Sequence, residues 1–178
     1  MEPEELIAAG YQARREQRPD DAEAAFAQAA LLAEAGADAL LLARALTGMG
    51  QMARDRGLGQ SALAHYRSAT DLLRGLEEPL RLAHTVRHVG DILRQLGQPE
   101  KARGCYDEAL AIYRGHSATP PLDLANTVRG YALVRGDLHE SESATALWGE
   151  ARDLYASLDL QAGVAEADRW LNSHRAAG

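Results

Sequence analysis

The chain is poor in the residues that most often carry covalent or metal chemistry. Its 178 residues include one cysteine, Cys105, so no disulfide can close within the chain and no thiolate cluster can hold zinc. A reducing, cytoplasmic setting is the expectation. Lysine is almost missing, with Lys101 alone among 19 basic residues, and aromatic residues make up 5% of the chain. Basic residues are outnumbered by 26 acidic ones, and the net charge of −7 disfavours general attraction to nucleic acid or anionic lipid. No stretch alternates apolar and polar residues with a period of two, so strands are not expected, and neither is a phosphate loop that would follow one. Long apolar runs are lacking too. The richest, "ALLLARAL" at 39–46, is broken by Arg44 and falls well short of the ~20 residues a membrane-spanning helix needs. The opening "MEPEELIAAG" is acidic where a secretory signal would be basic, so export is not expected. The serines at 141 and 143 have no base and orienting acid beside them. No catalytic residue and no cofactor is expected.

What the chain does have is apolar spacing of three and four, and 46% apolar residues to build a core. Leu46, Met49, Gly50 and Ala53 form one helical stripe, which Gly57 can close in a left-handed conformation. Ala62, Tyr66 and Ala69 form the next. The same residue types return 40 positions later as Val86, Val89, Gly90 and Leu93, then Gly97, then Ala102, Tyr106 and Ala109. Forty positions before Gly50 stand Leu6, Ala9, Gly10 and Ala13, followed by Ala22, Phe26 and Ala29. A fourth unit follows at a spacing of 42, with Val128, Tyr131 and Ala132, then Ala144, Trp148 and Ala151. Small residues let two helices of a hairpin cross closely, and an aromatic one turn later fills the space beyond the crossing. In the fourth unit Gly136 stands eight residues before Ala144 rather than five, which predicts an early end to the first helix, an extra turn on the second, and a capping box from Asp137 and Glu140.

This unit, an apolar residue, a pair such as Met49–Gly50, a turn glycine, then alanine, an aromatic and alanine, resembles the tetratricopeptide repeat. The spacing of 40–42 is longer than the usual ~34 and is similar to that of kinesin light chains and some bacterial regulators. The proline that commonly closes a repeat is replaced by Glu34, Arg74 and Arg114. The resemblance implies an all-α fold: a right-handed superhelix of four tandem helical hairpins at about 3–37, 38–78, 79–118 and 121–158, with a capping helix at about 161–175, in a single domain over 1–178. It further implies a binding module whose first helices line a concave groove, rather than an enzyme.

On those first helices, the positions beside the buried stripe are Arg44, Thr47, Gln51, Arg54, His84, Arg87, His88, Asp91, Arg94, Asn126 and Arg129, with Glu4, Ile7, Tyr11 and Arg14 in the first unit. The set is mainly basic on an acidic chain. The expected partner is therefore a protein or peptide with an acidic segment, since guanidinium groups form paired bonds to carboxylates. The lysine and asparagine clamp by which some members of the family hold chaperone tails is not reproduced; Ile7, Tyr11, Gly48, His84 and His88 stand in its places. On this reading Arg87→Glu should weaken binding and leave stability nearly unchanged. "HTVRH" at 84–88 opens an alternative: His84 and His88, one turn apart, with Asp91, could form an open metal site in a metal-binding protein or metal-dependent enzyme. A ligand-sensing domain of a bacterial regulatory system is a further alternative. No membrane and no nucleic acid is expected as a partner, and a homodimer through the N-terminal hairpin is allowed for.

Overall fold

In a computed structural model, the structure describes residues 1–175 and contains nine helices and no strand among them. The last three residues of the expected single domain lie outside the described residues. The helices are α1 (Pro3–Arg15), α2 (Pro19–Ala35), α3 (Ala39–Asp55), α4 (Gly59–Leu73), α5 (Pro79–Gln95), α6 (Pro99–Gly115), α7 (Pro121–Asp137), α8 (Ser141–Ser157) and α9 (Gln161–Arg175). Each packs on the next in chain order, so α1–α2, α3–α4, α5–α6 and α7–α8 are stacked hairpins and α9 lies against α8. Contacts also run between successive first helices, α1 with α3 and α5 with α7.

Local signals account for the helix ends. Proline occupies the first turn of α2, α5, α6 and α7, where its missing N–H costs nothing. Turns inside hairpins close with a left-handed residue, Gly57 at φ 75° and Gly97 at φ 71°, as the spacing predicts. In the fourth hairpin the expectation fails. α7 runs through Gly136 to Asp137 and matches α3 and α5 at 17 residues, and α8 is also 17 residues long, without an added turn. The left-handed residue there is His139 at φ 59°, in the slot that Gly57 and Gly97 occupy in their own repeats. The Glu140 N–H bonds back to the Arg135 carbonyl at 2.9 Å, as the Gln98 N–H does to Leu93. A turn closed by those bonds tolerates a side chain at a cost of about 1–2 kcal/mol, so the glycine was a misleading marker. The capping box does not form either. Asp137 ends α7, and Glu140, the N-cap of α8, makes no side-chain cap but takes hydrogen bonds from Arg103 and Arg135.

Small and large residues pack as the repeat demands. Ala22, Ala62, Ala102 and Ala144 are fully buried at the crossings, with Phe26, Tyr66, Tyr106 and Trp148 buried beyond them. A Cβ added at Gly90 would lie 2.9 Å from the Tyr106 ring, so the glycine is what lets that ring seat. Ala102→Leu is expected to cost about 1–3 kcal/mol by overpacking the third crossing, measurable as a lower urea midpoint at unchanged slope. An unchanged midpoint would contradict the register. Where other repeats of this type carry a closing proline, Arg74 and Arg114 instead reach Glu108 and Glu150 of the next hairpin at 2.6 and 2.7 Å. Both pairs are half-exposed, and each adds at most about 1 kcal/mol.

Candidate functional site: a polar groove along the first helices

Two depressions open on the first-helix face, and α5 contributes to both. One, of about 450 Å³, lies between α1, α3, α5 and α7 and is lined by residues including Tyr11, Arg44, Arg81, His84 and Asp123. The other, of about 360 Å³, gathers Arg54, Arg87, Asp91, Arg94, Asn126 and Arg129, with Gln95, Tyr106, Gly130 and Leu133. Nine of the eleven positions expected in the groove on α3, α5 and α7 thus line one or the other, as does Tyr11 of the first unit. Gln51 and His88 do not; both are buried beneath the surface. Thr47 touches the first depression although it is largely buried, its hydroxyl bonded to the Ala43 carbonyl, and Ile7 belongs to the core.

The floor of the second depression is a connected polar network of Arg87, His88, Asp91 and Tyr106, in which the Arg87 Nε alone lacks a partner among the described residues. Arg87 donates to Asp91 Oδ2 at 3.0 Å and to His88 Nε2 at 3.0 Å. That contact makes Nε2 the acceptor, so Nδ1 carries the hydrogen and donates to Asp91 at 3.1 Å. Tyr106 Oη donates to the other Asp91 oxygen. Burial alone would raise the Asp91 pKa, but the bond from His88, the Arg87 charge and the Tyr106 hydroxyl together hold it below the ordinary carboxylate range. The same burial pushes His88 down to about 3, with the bond to Asp91 opposing and the Arg87 charge assisting. His88 stands in a slot that the neighbouring repeats fill with Gly48 and Gly130, and it stacks on Tyr66 with ring centroids 5.1 Å apart.

This geometry does not assemble the metal site that "HTVRH" suggested. Both His88 nitrogens already have protein partners, and the His84 ring meets the His88 ring edge to face at 4.7 Å rather than turning a nitrogen towards a shared point. Among the described residues no group of three or more His, Cys, Asp or Glu side chains is placed to hold a metal ion. The mutational expectation for Arg87 changes too. Its side chain is 11% exposed and bonded on two sides, so Arg87→Glu would set a carboxylate against Asp91 and destabilise the fold along with any binding.

Charge segregation is weaker than the composition of the first helices implied, because acids from helix ends and from α9 reach the groove. Arg44 pairs with Glu4 at 2.9 Å, Arg94 with Asp137 at 2.7 Å, and Arg129 makes a two-pronged pair with Glu166 at 2.5 and 2.6 Å. Those bonds raise the Arg129 pKa further. Arg94 Nη1 and Arg129 Nη1 remain without a partner among the described residues. Tyr155 Oη donates to Asn126 Oδ1 at 2.8 Å, which leaves the amide nitrogen of Asn126 as its free end in the second depression. In the second depression, sequence reading missed Gln95, Tyr106, Gly130 and Leu133 as lining residues. Tyr106 was legible only as a core aromatic, but its ring passes Gly90 and its hydroxyl reaches Gly130 and Asp91 in the groove.

No protein-family model and no curated protein matches the sequence. By structure the chain is similar to tetratricopeptide-type helical repeat proteins, and that is its fold. The apo form of RapI aligns over 93% of this chain and 60% of its own, with a TM-score of 0.82 at 15% identity. A Rap protein complexed with competence and sporulation factor aligns over 93% and 45%, with a TM-score of 0.80 at 17% identity. BtubC from P. vanneervenii aligns over 89% and 66%, at 0.77 and 18%. A signal-transduction ATPase with numerous domains from Pyrococcus horikoshii, which has a tetratricopeptide repeat sensor, aligns over 93% and 25%, at 0.79 and 16%. The chain therefore spans between a quarter and two thirds of the length of these proteins.

Proposed function

We propose that the chain is a peptide- or protein-recognition module that binds an acidic segment of its partner along the first helices, with no chemical step. The observation that carries this reading is the convergence of Arg54, Arg94, Asn126 and Arg129, from three first helices, on one open depression. Donors held on packed helices lose little freedom when a ligand arrives, so more of the contact energy is retained as affinity. The two depressions are centred roughly nine residues apart along α5, about 14 Å at the helical rise. An extended segment of about four residues covers that distance, which favours a peptide over a single small anion. The similar Rap protein, complexed with competence and sporulation factor, supports a ligand-receiving role for the fold. A sensor within a larger regulatory assembly would use the same face. Leu31, 67% exposed on α2, keeps self-association through the N-terminal hairpin as a second reading, which a monomeric mass by light scattering would remove.

The test is a display selection from random 12-residue peptides on the immobilised protein, followed by mapping of amide shifts with the selected peptides. Binders are expected, with shifts on α3, α5 and α7. An absence of binders, or shifts confined to the outer helices α4 and α6, defeats the reading.

A further inference from the structure

The first helices are tied to one another by a repeated ion pair at their C-terminal ends, and one tie is missing. The last two residues of α1, α3, α5 and α7 are Arg14–Arg15, Arg54–Asp55, Arg94–Gln95 and Gly136–Asp137. The penultimate arginine of one helix meets the final residue of the next: Arg14 Nε lies 2.7 Å from Asp55 Oδ2, and Arg94 Nε lies 2.7 Å from Asp137 Oδ2. Between these two, Arg54 should meet position 95. Gln95 stands there and offers no carboxylate.

Arg54 is left unneutralised as a result. Among the described residues its one carboxylate within ion-pair distance is that of its chain neighbour Asp55, at 3.4 Å, and Asp55 is already held by Arg14. Its other close polar neighbour is His88 Nδ1 at 3.3 Å, which carries a hydrogen for Asp91, so the two groups face each other donor to donor. Arg54 nevertheless lines the 360 Å³ depression together with Gln95, Arg94 and Arg129. Beneath them the Nε of Arg87, a residue 9% exposed, is buried without a hydrogen-bond partner. The depression thus holds a cation lacking its anion, an amide where its neighbours have an acid, and spare donors on Arg94, Arg129 and Asn126.

Resting on the peptide-recognition reading above, we propose that the partner supplies the missing carboxylate: an Asp or Glu side chain of the bound peptide enters this depression and pairs with Arg54, completing the ladder that Gln95 interrupts. A side chain is the fitting source because the ties on either side, Asp55 and Asp137, are side-chain carboxylates meeting arginine. Supplying the acid within the chain should then compete with the partner.

The selected peptides, synthesised with amidated C-termini so that only side-chain carboxylates are present, are titrated by fluorescence anisotropy into wild type, Gln95→Glu and Arg54→Gln. An acid is expected at one selected position, and its exchange for the matching amide should weaken binding at least tenfold. Gln95→Glu and Arg54→Gln should each weaken the acidic peptide about as much, yet cost the amide-exchanged peptide little. Thermal melts of both variants, expected at or above wild type for Gln95→Glu, separate this from misfolding, and Arg54→Gln carries the test if Gln95→Glu does not fold. Binders with no acidic preference, or acidic binders indifferent to both substitutions, overturn the proposal while leaving peptide recognition intact. A selection yielding no binders removes peptide recognition itself and this inference with it.

Discussion

Asp91→Ala is expected to lower the unfolding free energy by about 3 kcal/mol, one of the two largest effects foreseen for this chain. Three donors converge on that carboxylate: the Arg87 guanidinium, the His88 Nδ1–H and the Tyr106 hydroxyl. Removing it strands a guanidinium that is 11% exposed and two further largely buried donors, and breaking a buried pair costs about 3–5 kcal/mol. The lower end applies because the Asp91 side chain is itself 23% exposed. Tyr106→Phe removes one donor and leaves Asp91 with two, so it should cost only about 1 kcal/mol. Urea unfolding of the two variants reads both values. A loss below about 1 kcal/mol for Asp91→Ala would mean that water replaces the carboxylate and that the network is not closed.

Acidification from about pH 7.5 to 4.5 is expected to cost a further amount of about 3 kcal/mol, most of it through His88. Burial first, and then the Arg87 charge against the opposing bond to Asp91, brings the His88 pKa from 6.5 down to about 3. Between those two values the unfolded chain binds a proton that the folded chain does not. Stability therefore falls as pH falls through that window, by about 1.4 kcal/mol for each unit below 6.5. His65, whose pKa burial also lowers, acts in the same direction. Asp91 acts elsewhere: its pKa is depressed, so its contribution is lost only below the ordinary aspartate value near 3.9. His88→Gln keeps an acceptor for Arg87 and a donor for Asp91 but cannot titrate, and it should flatten most of the slope. An unchanged slope in that variant would assign the pH dependence to other groups.

Both expectations concern residues that the repeat pattern marks only indirectly. His88 stands where Gly48 and Gly130 stand in neighbouring repeats, a departure visible in the sequence, but its consequence depends on Tyr66 lying beneath it and Arg87 and Asp91 beside it. Arg87 itself shows the limit of reading helical faces. Three and four spacing assigns it to the edge of the exposed stripe, whereas in the fold it is buried and held by Asp91 and His88. The groove arginines form a similar case. Their basic character is plain in the sequence, but Asp137 and Glu166, which neutralise Arg94 and Arg129, come from positions 43 and 37 residues away. The missing tie at Gln95 needed both kinds of information: the register from the repeat, and the pairs Arg14–Asp55 and Arg94–Asp137 from the packed helices.

The sequence alone determined that this chain is all helix, that it repeats every 40–42 residues, and where small and large side chains interlock. These properties follow from local periodicity and from steric volume, which act over a turn or a single hairpin and leave their mark residue by residue. Only the tertiary structure decided which charges are spent and which are free, because an ion pair between hairpins depends on the rotation and offset of helices that no single segment encodes. That is why the positions of the arginines were legible before their partners were, and why Arg54 stands out only once its neighbours have been paired.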